Sequence, residues 1–366
     1  MLVVLFVIMA ATLISLGFIA KSDMELACGR NVSLRMQMDY LAQSGLTHAK
    51  ALITNPQGAD TAALGYWTGD NALQIEAGDD YYDLTVARDN SDPTDRCTYN
   101  IQSLAYRLQD AQKTAQSYLN ARLRLDPCVA YWAGASTTVS NTITVNGDVY
   151  CSGNLTNLGT INGDVFANSL TGPVEGKRYD VAEAGVNWPG FSINDFTPNY
   201  YIDSVAYEAE VAEPNDTLAG SISFISSLNL AGVIVCSGNL TLSDVLIEEG
   251  TLIVNGDLTV QGASNTITSV KNFPALVVNG RLDVQSGQLI INGLAQTNTM
   301  SVSAAAANVM ISGALFVRDS GITDCMGNIT ITAAPMTAST KISPDSGTTV
   351  KWTPIGAAFF KSIKRQ

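Results

Sequence analysis

The first twenty residues of the chain (MLVVLFVIMAATLISLGFIA) contain neither a charge nor a proline. At 1.5 Å per residue a helix of that length spans about 30 Å, the hydrocarbon thickness of a bilayer. It has no polar face, so as a helix it needs a non-aqueous surround on every side, either lipid or other apolar helices. A cleaved secretory signal opens on basic residues and ends its shorter apolar run at an Ala-x-Ala site, and the basic start is missing here. A retained, membrane-competent helix is the expectation.

The pattern does not stop at Ala20. Met24, Ala27, Cys28, Val32, Leu34, Met38, Leu41, Ala42, Gly45, Leu46, Ala49 and Leu52 follow at close to helical spacing. Asn55-Pro56 supplies the stop, because proline disfavours the α conformation in the residue before it. One helix over 1–54 would be roughly 80 Å long.

Over these residues the chain resembles the type IV pilins, and among them the PilX-type minor pilins and related pseudopilins. The resemblance rests on the apolar start, the polar stretch after it, and Tyr40-Leu41-Ala42-Gln43-Ser44-Gly45-Leu46, which is similar to the family's "aEaGle" segment. It implies a chain held in the inner membrane and then polymerised into an extracellular filament on the bacterial surface. Met1, Leu5, Phe6, Leu13, Gly17 and Phe18 would belong to the assembly helix. It further implies that Met1 is a mature, methylated end left by a prepilin peptidase, and that the partners are other copies of the chain and a pilus assembly machinery. One position departs from the family: its glutamate at position five, which meets the α-amine of a neighbouring subunit, is Leu5 here. A buried, unpaired ammonium costs several kcal/mol, so either this is a minor pilin or the amine finds another partner. A signal-anchor helix on a monomeric surface protein is the alternative.

Beyond the helix, 30 glycines among 366 residues and few aromatics favour short, turn-punctuated elements. Residues 55–130 read as a small antiparallel sheet. Residues 73–77, 81–87 and 96–108 are strand-like, and Ala115, Ser117, Leu119, Ala121, Leu123 and Leu125 alternate with polar residues up to a break at Asp126-Pro127. A helix over 109–124 is the competing reading, since Ala, Gln, Lys and Leu also favour helix.

From Thr142 one short motif recurs. It appears as Val145-Asn146-Gly147-Asp148-Val149, Cys151-Ser152-Gly153-Asn154-Leu155, Ile161-Asn162-Gly163-Asp164-Val165, Cys236-Ser237-Gly238-Asn239-Leu240, Val254-Asn255-Gly256-Asp257-Leu258 and Val278-Asn279-Gly280-Arg281-Leu282. Weaker copies follow at Ile291-Asn292-Gly293 and Ile311-Ser312-Gly313. Short strands alternating with sharp corners at irregular spacing fit a parallel β-helix, with asparagine ladders at equivalent corners. A sandwich of hairpins is the alternative, because Asn-Gly is also a hairpin signal. The motifs resemble the β-helix found behind PilX-type N-termini and, less closely, bactofilin coils. Residues 172–222, with Trp188-Pro189, Phe191, Phe196, Tyr200, Tyr201 and Tyr207 beside acidic Glu208, Glu210, Glu213 and Asp216, read as an insertion. It either packs over the solenoid, touches a neighbouring subunit or buries its own aromatics.

The expected fold class is therefore α+β: a long N-terminal pilin-like helix (1–54, with 1–20 in membrane or filament core), an antiparallel sheet headgroup (55–130), a mainly-β parallel β-helix solenoid (131–352, with the insertion), and a C-terminal segment (353–366) that caps the last coil or docks on the headgroup.

Chemistry is sparsely signalled. A net charge of −13 without a Lys/Arg cluster excludes nucleic acid as a partner. His48 is the only histidine, no Cys-x-x-Cys-His exists for haem, and no nucleophile–base motif or P-loop is present. His48 reads as a surface residue of the helix. Asp148, Asp164 and Asp257 sit at motif corners, where aspartate serves turn geometry, rather than in a lyase or glycosidase cluster. Gly78-Asp79-Asp80 and Asp89-Asn90-Ser91-Asp92 are acidic turns, either solvated or holding a hard cation. No cofactor and no enzyme activity are expected. Widely spaced cysteines suggest disulfides: Cys97–Cys128, which flank two expected strands, and Cys151–Cys236, which share the Cys-Ser-Gly-Asn-Leu context. Cys28 would stay reduced. The functional expectation is a structural filament subunit, against a minor pilin or type II secretion pseudopilin at a tip, or a surface-anchored carbohydrate-binding or lyase β-helix.

Overall fold

The structure, a computed structural model, describes residues 2–54, 67–89, 91, 97–184, 199–202, 205–223, 232–269, 274–334 and 355–365. Met1, the stop at Asn55-Pro56, Asn90 and Asp92 of the second acidic turn, Trp188–Pro198 of the insertion and the solenoid boundary at 352 lie outside them. The architecture is α+β: one long helix, an antiparallel sheet and a large parallel β-solenoid.

Helix α1 (Leu2–Thr54) runs unbroken through 53 residues. Its buried residues are Met38, Leu41, Ala42, Gly45, Leu46, Ala49 and Ile53, a single stripe at three- and four-residue spacing. The apolar positions expected to continue that stripe toward the N-terminus, Met24, Ala27, Cys28 and Val32, are exposed instead. Small residues set the depth of contact where the helix is seated. A Cβ at Gly45 would collide with Ser103 Oγ, and that hydroxyl donates to the Ala42 carbonyl at 2.9 Å from a fully buried position. Two polar clamps flank this contact: Ser117 Oγ donates to Asp39 at 2.6 Å, and Gln37 Nε2 donates to Asp80, which Arg107 holds in a two-pronged pair at 2.6 and 2.8 Å. His48 is half-buried, not a surface residue; its Nδ1 lies 3.0 Å from the Tyr82 hydroxyl and its ring packs on Trp67.

The sheet beneath the helix consists of β1 (Asp80–Asp89), β2 (Thr98–Gln109), β3 (Gln112–Ala133) and β4 (Ile355–Arg365), antiparallel in the order β1-β2-β3-β4. The alternating residues Ser117, Leu119, Ala121, Leu123 and Leu125 are buried, so period two prevails over the helical alternative. A two-residue turn at Asp110-Ala111, both at positive φ, joins β2 to β3. Residues 73–77 contribute only a bridge, Leu73 to Tyr82. The break expected at Asp126-Pro127 does not occur. The ladder from β2 ends at Arg124, so proline removes no hydrogen bond on that side, and β3 runs on into the solenoid.

Each solenoid coil has three strands. Aligned residues in successive coils are 13 apart at the shortest (Val165 to Arg178) and 25 at the longest (Gly220 to Val245). The motif occupies two of the three corners, which accounts for its irregular spacing. Spatial order differs from chain order. Along the first strand layer the coils run 210–212, 232–236, 252–254, 276–278, 295–297, 315–317, 131–133, 149–151, 165–167 and 178–179. The last coil stacks directly on the first, Leu315 beside Tyr131 and Ile329 beside Ile143. That pairing explains why the C-terminal segment is no cap for the last coil: the coil's edge is already taken, and β4 completes the headgroup sheet instead.

The chain must return from one solenoid end to the other between 179 and 210, about nine rungs or roughly 43 Å. Part of that path is the hairpin Asn199–Ile202/Val205–Glu208. Tyr200, buried, joins Trp132, Phe316, Val235 and Ile253 in an apolar cluster on the outside of the first strand layer. The insertion thus covers the solenoid, and the strands it covers, such as Gly232–Cys236, are buried on both faces. It ends near 209, earlier than expected, because Glu210–Ala212 and Asp216–Ser223 already belong to a coil.

Candidate assembly surface

From Leu2 to about Ser33, α1 projects beyond the headgroup with no side chain buried. Leu5, Phe6, Leu13 and Phe18 are 68%, 67%, 62% and 69% exposed, and nothing stands within 4 Å of a Cβ built on Gly17. These residues do not converge on one spot; they surround the helix. Leu5, Phe6, Leu13, Gly17 and Phe18 thus stand on a bare apolar rod. The only polar side chains in its first twenty residues, Thr12 and Ser15, are satisfied within the helix. Thr12 Oγ1 donates to the Ile8 and Met9 carbonyls at 3.0 and 2.9 Å, and Ser15 Oγ donates to Ala11 at 2.8 Å. No side-chain donor of residues 2–20 is left to be desolvated when the rod enters an apolar surround. Charge resumes at Lys21, whose amine lies 3.9 Å from Glu25 one turn on.

The exposed apolar surface extends past the uncharged run. Val32, Met36 and Tyr40 are 59%, 52% and 64% exposed. At 100° per residue Met36 and Tyr40 stand on the side of α1 away from the stripe that meets the sheet, and Val32 about a quarter turn from that stripe. Helical-wheel arithmetic on 24–40 separates the two stripes once Met38, Ala42 and Ala49 are taken as the seated ones.

The other candidate residues are occupied by the fold. Asp148, 1% exposed at the junction of sheet and solenoid, accepts from the Cys128 and Asp164 amides at 2.7 and 3.0 Å and faces Arg124 at 3.2 Å. Burial pushes its carboxyl up to about 6 against the pull of the Arg124 guanidinium. Asp164 accepts from the Lys177 amide and Asp257 from the Arg281 amide, each at a corner. Asparagine ladders join Asn162 to Asn146 at 2.8 Å and Asn279 to Asn255 at 3.1 Å. Asp80 and Asp89, from the two acidic turns, are paired with Arg107 and Arg122. Among the described residues no group of three or more His, Cys, Asp and Glu side chains converges as a cation site would require.

Cys97 and Cys128 are disulfide-bonded, with Cα atoms 6.0 Å apart. Cys151 and Cys236 are unbonded and buried, which corrects the second expected pair. Their shared local context puts both on the inward side of the first strand layer, but six rungs apart in the spatial order, about 29 Å.

No protein-family model and no curated protein matches the chain. Among solved structures it is similar to the crystal structure of competence-associated pilin ComZ from Thermus thermophilus, at 11% identity over 91% of this chain and 97% of that chain. The TM-score of 0.27 is too low to establish a common topology.

Proposed function

We propose that the chain is a structural subunit of an extracellular filament of the type IV pilus kind. Its N-terminal helix packs with copies of itself in the filament core, and the sheet and solenoid are displayed outside. The observation that carries this reading is the apolar rod of α1, exposed on every side with its hydroxyls satisfied internally. Before assembly the rod lies in the inner membrane. Transfer to the filament exchanges lipid for equivalent helix surface, so shape matching and headgroup contacts set stability. The bilayer supplies the surround in one state and neighbouring subunits in the other.

A minor subunit at a filament tip is the second reading, favoured by Leu5. An uncharged side chain at that position offers nothing to a neighbour's α-amine, so a chain present once per filament is spared the repeated cost. A lyase or carbohydrate-binding role has weaker support, since Asp148, Asp164 and Asp257 are engaged by backbone amides of adjacent corners. Electron microscopy and immunoblotting of sheared surface material separate the readings. A uniform filament made mainly of this chain supports the first, trace amounts in another filament support the second, and absence from any filament refutes both.

A further inference from the structure

The two flanks of α1 just above the apolar rod carry opposite charge. On one, a groove of about 290 Å³ lies between the helix and the turn before β1, lined by Gln37, Tyr40, Ser44, Ile75, Glu76 and Asp79. Glu76 and Asp79 are exposed at its rim, and Ile75, 60% exposed, gives it an apolar wall. On the other flank stands Arg35. It precedes Gln37 by two residues and Ser44 by nine, which places it about half a turn around the axis from the groove. Arg35 is exposed, and Asp39, one turn further on, is engaged by the Ser117 hydroxyl. Met36 lies between the flanks on the outward face.

Opposite charge on different patches of one chain favours a head-to-tail contact between copies. Such a contact generates an open filament when the rotation between copies does not close a ring, whereas a two-fold dimer would set each patch against itself. The chain's net charge of −13 makes copies repel on average, and a local pair of opposite charges then selects the register in which they approach. Resting on the assembly reading above, we propose that Arg35 of one copy docks at the Glu76–Asp79 rim of the next, with Met36 against Ile75 and Tyr40.

The test uses the full chain in filament-producing cells, in four variants: Arg35→Glu, Glu76→Arg, the two combined, and Arg30→Glu. Arg30 follows Lys21 on the exposed helix and stands on the groove's own flank, so it serves as the control. Sheared filament and membrane-held chain are both quantified. Each single reversal at 35 or 76 should cut filament yield about three-fold, the scale of an exposed ion pair. The combined variant should restore it, Arg30→Glu should leave it unchanged, and the membrane-held amount should stay constant throughout. A combined variant as poor as the singles, or an Arg35→Glu chain that assembles normally, overturns the contact while leaving the assembly reading intact. Loss of membrane-held chain in both Arg30→Glu and Arg35→Glu assigns the arginines to anionic lipid headgroups and overturns it too. An unaltered chain that forms no filament removes the assembly reading and this contact together.

Discussion

Gly45→Ala tests how closely the helix is held to its sheet. In a free helix the change stabilises by about 0.5–1 kcal/mol, because glycine loses more backbone freedom on folding. Here the new methyl meets Ser103 Oγ, with Tyr82 and Leu84 carbon atoms at 3.1 and 3.2 Å behind it. Either the serine turns away and leaves its buried hydroxyl without the Ala42 carbonyl, or the helix lifts; each costs about 1–3 kcal/mol. The net expectation is a loss of about 1–2 kcal/mol. Ser103→Ala alone loses one hydrogen bond, about 1 kcal/mol, and removes the obstacle. The double variant should therefore be no less stable than Ser103→Ala, a coupling of about 1 kcal/mol or more. Urea titration of a chain beginning at Lys21, read through amide hydrogen exchange of residues 38–53, measures it locally. A Gly45→Ala chain as stable as the parent, with no coupling to Ser103, would refute the close approach.

A chain beginning at Lys21 should be soluble, monomeric and β-dominated by circular dichroism, since the buried stripe of α1 begins at Met38; an unfolded product would make the rod part of the head's core. Reducing the Cys97–Cys128 bond, which closes a loop of 31 residues, should cost the headgroup about 4 kcal/mol by the loop-entropy relation, and non-reducing peptide mapping that joins Cys97 to another cysteine would contradict the pairing. Asp148 holds its proton more tightly folded than unfolded, with a carboxyl near 6 against the ordinary 3.8. Its contribution to stability is therefore full below about pH 4 and falls by about 3 kcal/mol as the pH rises through 6. Urea titrations across that range should show this fall in the parent and not in Asp148→Asn; equal slopes would sink the assignment.

What the sequence disclosed was whatever local periodicity controls. Helix 2–54, the alternation at 117–125 and the Asn-Gly corners are each set by neighbours within a few residues, although residue propensity also allows a helix over 109–124 and Asn-Gly also allows hairpins. Pairing between distant segments could not be read locally. Every rung offers a similar Val/Ile/Leu strand, so nothing near Ile329 shows that it lies beside Ile143 and not beside a new coil. Cys151 and Cys236 mislead for the same reason: identical corners mark equivalent positions on a coil, not neighbouring coils. At the assembly surface, the uncharged run marked the rod, but the extension through Val32, Met36 and Tyr40 needed the seated stripe to be known first. The register of β4 on β3 depends on which sheet edge the long solenoid leaves open, which no window of sequence contains.

In the proposed filament α1 is the assembling element and the solenoid is carried outside. A cryo-electron microscopy map of the purified filament tests it most directly. The expected map has a core of packed helices in which residues 2–20 of each copy contact those of its neighbours, with antiparallel sheets around the core and solenoids outermost. A filament whose repeat comes from solenoids stacked end to end, with the N-terminal helices lying loose at its periphery, would contradict it.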